Sequence, residues 1–198
     1  MNGGLLMQIL KEDVREKILI SSIYFISKEG FEKASMRNIA KRAGVTVGNV
    51  YRYFKNKDAL MEALVKPVWN EVENLIINSY SEKENEISLD QIMAKFKDIY
   101  FRHRENLFIL LNKSKGSKFE NARNLLIIQI KERLKSEKNI AKIIGEDKEV
   151  FELLAKNIVD SICRIMEICG DDDKKFIDLS KKILSILTVE LLNKEVRN

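Results

Sequence analysis

A chain of 198 residues, 45% hydrophobic and 33% charged, has the balance of a globular protein of one or two domains, which excludes extended disorder. It lacks the roughly 18 uninterrupted apolar residues of a membrane span and has no basic residue ahead of the apolar stretch in MNGGLLMQIL, so a cytoplasmic location is expected. The net charge of +5 all sits at one end: residues 1 to 60 hold eleven Lys and Arg against six Asp and Glu, and the rest of the chain carries 24 of each sign.

One proline and eight glycines punctuate the sequence, and apolar residues recur at intervals of three and four, so an all-α fold is predicted, with no strand and no repeat. A first helix is expected over about Asp13 to Lys28, with Val14, Ile18, Ile23, Phe25 and Ile26 on its apolar side and Gly30 ending it in a left-handed conformation. Ser35 is placed to cap a helix from Met36 to Ala43, Gly44 to stop it, and Thr46 to cap a third helix from Val47 to about Phe54. Longer helices follow near 57 to 80, 88 to 112, 119 to 137, 147 to 169 and 173 to 194. They are separated by SEKENEIS, KSKGSK, a looser stretch around Gly145, and GDDD. Pro67 removes a helical N–H and presses on the preceding turn, so the helix from Lys57 is expected to kink, break or end there.

Two features separate the ends of the chain. From Lys33 to Lys57 there are seven basic residues and no acid, a pattern suited to a polyanion, although a charged face in solvent would look the same. In the last two helices apolar residues surround more of the helix than one core face requires, which implies a second partner.

Ile39, Ala40 and Ala43 share one side of the second helix, Val50 and Phe54 one side of the third, and Val45 fills the corner. Two short helices joined at Gly44, with Ala40 permitting close approach, make a helix-turn-helix. Its second helix opens with Thr46, Val47, Gly48 and Asn49, short enough to bring the backbone against base edges in a groove about 12 Å wide. The stretch SMRNIAKRAGVTVGNVYRYFKNKDAL resembles the DNA-binding signature of TetR-family transcriptional regulators, and the likeness runs from about Val14 to Leu64.

That resemblance implies an N-terminal three-helix helix-turn-helix domain over residues 1–57 and a larger C-terminal helical bundle over 58–198 for ligand binding and dimerisation. It implies a homodimer, paired through the helices near 147–169 and 173–194, on an inverted-repeat operator in double-stranded DNA. Thr46, Val47, Gly48 and Asn49 would face base edges, Val47 touching a thymine methyl and Asn49 hydrogen bonding. Tyr51, Tyr53, Arg52, Arg37 and Lys57 would reach phosphates. Taken alone, Tyr51 reads equally as a half-buried core aromatic, and Lys41 and Arg42 read as a solvated face beside the DNA.

Catalytic chemistry is not expected, and neither is a cofactor. The one histidine, His103, has no cysteine beside it and reads as structural. Asp171, Asp172 and Asp173 read as helix capping rather than a cation site. Cys163 and Cys169, about 9 Å apart along a helix axis, read as two core thiols. Trp69, Met93, Phe96, Tyr100, Phe101, His103 and Phe108 occupy helices that enclose a small-molecule pocket in similar proteins, and periodicity alone does not separate pocket from core. The function expected is a sequence-specific regulator, a repressor released by a small-molecule ligand of unknown identity. The alternative is a helical ligand-binding or interaction protein that does not use its DNA-binding motif.

Overall fold

A computed structural model describes residues 3–78 and 89–192, with side chains over 10–78 and 91–183 apart from Met93 and Asn139. The protein is all-α. Its helices are α1 (Gly3–Glu29), α2 (Met36–Ala43), α3 (Val47–Tyr53), α4 (Lys57–Asn78), α5 (Leu89–Asn112), α6 (Ala122–Ser136), α7 (Lys138–Ile144), α8 (Lys148–Cys169) and α9 (Asp173–Leu192). The SEKENEIS segment lies outside the described residues. Among those described, no helix is long and apolar enough to cross a membrane.

The chain forms two compact units: Met1–Trp69 with His103–Glu120, and Asn70–Arg102 with Asn121–Asn198. The first is therefore discontinuous in sequence and takes in residues well beyond Lys57. Its core gathers Ile18 from α1, Ile39, Ala40 and Ala43 from α2, Val50 and Phe54 at α3, and Leu60 from α4. Burying each large member stabilises the fold by about 1.5–3 kcal/mol before entropy is counted. Residues 103–120 fasten onto this core from outside. The Phe31 N–H donates to the Lys113 carbonyl at 2.9 Å, the Lys118 N–H donates to Asp58 Oδ1 at 3.1 Å, and Lys118 Nζ pairs with Glu62.

In the second unit α6, α7, α8 and α9 pack together. One cluster joins Leu134, Ile140, Phe151 and Ala155. Tyr100, fully buried, stacks on Phe176 with ring centres 3.6 Å apart, and Phe101 meets Phe176 edge-on. Cys163 and Cys169 are both buried and unbridged, as expected of core thiols. Asp172 accepts the Lys175 N–H at 3.0 Å, so one of the three acids expected to cap α9 does so.

Several boundaries differ from those expected. Helix α1 begins at Gly3 rather than near Asp13, because Leu5 to Glu12 offer no breaker and Asp13 pairs with Lys17 at 2.7 Å instead of capping. Ser35 holds the N-cap position of α2 without a side-chain bond. Helix α6 starts at Ala122 rather than 119, because Ser117 Oγ donates to the Ser114 carbonyl at 2.6 Å and accepts the Phe119 N–H at 3.1 Å, holding a turn. The stretch before Gly145 is a helix, α7, too short at seven residues to show a period.

Pro67 does not break its helix: α4 continues from Lys57 to Asn78. The proline sits among buried Leu64, Val65 and Val68, and Asn106 Nδ2 donates to the Leu64 carbonyl at 2.8 Å. That supplies a donor one residue from the carbonyl the proline leaves without one. The break falls in α5, where His103 leaves helical angles with φ −131° and ψ 25°.

Candidate nucleic-acid interface

The turn between α2 and α3 is made by Gly44, left-handed at φ 71° and ψ 28°, a conformation glycine adopts without steric cost. The Val45 N–H returns to the Ala40 carbonyl at 3.0 Å, closing the end of α2. Thr46 then caps α3, its Oγ1 accepting the Asn49 N–H at 3.1 Å. Val50, with none of its surface exposed, anchors α3 to the core and turns the opposite face outward.

A shallow concavity of about 630 Å³ lies against that outward face, lined by Lys41, Gly44, Val45, Thr46, Gly48, Asn49 and Arg52. Lysine and arginine border it and two glycines open it. A Cβ placed on Gly48 would meet nothing within 4 Å, so the fold does not need a glycine there. Of the residues expected at base edges, the structure brings Thr46, Gly48 and Asn49 together here. Val47 is half-buried and packs instead against the core cluster.

The residues expected at phosphates divide. Arg37, Tyr51 and Arg52 are exposed, Tyr51 by 48%. Tyr53 is half-buried and packs on the core cluster. Lys57 is drawn inward: its Nζ donates to the carbonyls of Glu32 at 3.1 Å and Ala34 at 3.0 Å, and lies 4.4 Å from the centre of the Phe31 ring. Burial pushes its pKa below the ordinary lysine value. Two of its three N–H donors are thus engaged within the protein, leaving one for any phosphate.

Lys41 is the residue that sequence reasoning set aside. Its place three positions before Gly44 was the available signal, because the left-handed turn brings the last turn of α2 and the first turn of α3 to one side.

The aromatic residues expected around a ligand do not form one group. Trp69, His103 and Phe108 belong to the first unit, while Met93, Phe96 and Tyr100 belong to the second. Tyr100 is engaged with Phe176 as core. Among the described residues no group of three or more His, Cys, Asp and Glu is placed to hold a metal ion.

Comparison with known proteins bears on the same stretch. Residues 22–64 match the family described as "Bacterial regulatory proteins, tetR family". An uncharacterized HTH-type transcriptional regulator of Haemophilus influenzae is 29% identical over 119 residues, 60% of this chain and 63% of its own length; the chain thus aligns with less than two thirds of that relative. Among solved structures, SmeT in complex with triclosan superposes with a TM-score of 0.55 at 18% identity, over 84% of each chain. SmeT is described as the repressor of the Stenotrophomonas maltophilia multidrug efflux pump SmeDEF. MexZ, described as a key repressor responsible for antibiotic resistance in Pseudomonas aeruginosa, superposes with a TM-score of 0.53 at 21% identity, over 87% of this chain and 94% of its own. At these identities the superpositions establish a shared all-α fold. With a helix-turn-helix core and the family signature over the same residues, the chain belongs, through its N-terminal domain, to the tetR family of bacterial regulatory proteins.

Proposed function

We propose that the protein is a sequence-specific DNA-binding transcriptional regulator, a repressor released by a small molecule. The observation that carries this reading is the concavity on α3, floored by Thr46, Gly48 and Asn49 and bordered by Lys41 and Arg52. It lies within a stretch from Lys33 to Lys57 that contains no acid. Small residues admit the base edges of a major groove, and the bordering cations face the two phosphate strands. Residues 1–57 carry DNA binding, and 58–198 carry ligand binding and dimerisation in the cytoplasm. SmeT, a repressor of like fold solved with triclosan, supports release by a small molecule.

The operator is an inverted repeat read by a homodimer paired through α8 and α9. Exposed Val150, Leu153 and Ile168 on α8 support that pairing, because they fall along one stripe of the helix. Ile186, a natural choice for testing the pairing, lies among side chains outside those described.

Selection of bound sequences from random duplex DNA, followed by footprinting, tests the reading. A palindromic site with half-sites one or more helical turns apart is expected. Asn49→Ala should relax the preference at particular bases, and Tyr51→Phe should weaken binding on every sequence alike. Equal affinity for selected and random duplexes at moderate salt would leave the helical ligand-binding or interaction protein as the better account.

A further inference from the structure

Away from α3, two cations of the first unit are gathered on one neutral ring. The Arg42 guanidinium carbon lies 3.7 Å from the centre of the Tyr24 ring. Lys28 Nζ lies 4.1 Å from the same centre and donates to Tyr24 Oη at 2.8 Å. The ring is set edge-on against Phe25, with centres 5.2 Å apart, and Phe25 packs on the core. Lys28 and Arg42 are therefore less than about 8 Å apart, within one Debye length at physiological salt.

Neither cation forms an ion pair among the described residues. Glu29 is the acid that bears on the ring, and its influence on Tyr24 is smaller than those of Lys28 and Arg42, which together hold the phenol below its ordinary pKa. A fold gains nothing from holding two like charges side by side on a ring when a carboxylate could sit between them. The arrangement has a use if the balancing anion comes from outside. An arginine resting on a ring keeps its N–H edge free for a bidentate anion. Lys28 spends one of three donors on Tyr24 Oη, and the tyrosine hydroxyl, while accepting, still has its own proton to donate.

We propose that Arg42, Lys28 and the Tyr24 hydroxyl form a seat for a backbone phosphate of duplex DNA flanking the bases read by α3. The inference rests on the DNA-binding reading above. Arg42 adjoins Lys41, which borders the α3 concavity, so the basic surface continues along α2 onto α1. The phosphate is that of a phosphodiester, held for position and affinity and carrying no base information.

The test uses the full-length protein and two duplexes: the selected site alone, and the same site extended by about ten base pairs on each side, one further helical turn. On the extended duplex the double variant Lys28→Ala, Arg42→Ala should lower the slope of log K against log salt by about 1.8, with base preference unchanged. On the short duplex it should match wild type. Tyr24→Leu keeps both charges, removes the platform, and should lose affinity on the extended duplex. An unchanged slope for the double variant on the extended duplex overturns the proposal while leaving recognition by α3 intact. Competition by inorganic phosphate at matched ionic strength overturns it too, by making free phosphate the occupant. Failure of wild type to prefer the selected site removes the DNA-binding reading, and this inference with it.

Discussion

The Lys57 amine sits 3.0 Å from the carbonyl oxygen of Ala34, tying the first turn of α4 to the residue just ahead of α2 across 23 positions of sequence. With the second bond to the Glu32 carbonyl, it closes the loop that sets where α2 begins. Lys57→Ala leaves both carbonyls without this donor, at a cost of about 1–3 kcal/mol. At about 2–4 °C per kcal/mol for a chain of this size, thermal unfolding should fall by roughly 2–12 °C. An unchanged midpoint together with a weaker salt dependence of DNA binding would assign the lysine to a phosphate instead.

Gly48→Ala should separate folding from binding. The added methyl meets open space, and alanine is preferred to glycine in a helix by about 0.5–1 kcal/mol. Thermal stability should therefore hold or rise. Duplex affinity should drop, because the methyl enters the concavity where a base edge approaches. Unaltered affinity in a stable variant would mean that DNA does not reach this face of α3.

Burial pushes the Cys163 thiol from 9.0 to about 11. Its folded pKa stands above its unfolded one, so the contribution is complete below pH 9 and is lost as pH rises from 9 towards 11, where the unfolded chain ionises first. The loss is on the order of 2–3 kcal/mol. Denaturant unfolding of wild type and Cys163→Ala across that range should show a steeper decline in wild type. Parallel declines would mean that the thiol ionises as readily in the folded protein as in the unfolded chain.

Leu153 is 60% exposed on α8. Leu153→Glu should leave the fold of one chain intact, since the side chain fills no core, and should turn the proposed homodimer into a monomer with reduced operator affinity. Sedimentation at micromolar concentration reads the outcome. A variant that sediments as a dimer would place the pairing surface elsewhere.

What could be read from the sequence was local. Gly44, Thr46 and the apolar spacing of Ile39, Ala40 and Val50 specify the α2 and α3 region through backbone conformation and short-range capping, and those boundaries follow directly. Lys57 shows the opposite. Its charge and position suggest a phosphate contact, while its carbonyl partners lie 23 and 25 positions away and leave no mark on nearby sequence. Pro67 misled for a related reason, since local propensity favours a break and the buried neighbours with Asn106 hold the helix through it. The break at His103 has no glycine or proline to announce it.

Residues 103–120 complete a unit whose other part ends at Trp69, and this has a consequence for how the protein is made. Until Lys113 and Lys118 leave the ribosome, the Phe31 N–H and the Asp58 carboxylate lack the partners they hold in the finished chain. At about 5–20 residues per second, that delay lasts some seconds after Trp69 has been joined. The helix-turn-helix therefore reaches its final support only when more than half of the chain has been translated. A gene fragment cut after Trp69 encodes it without that support.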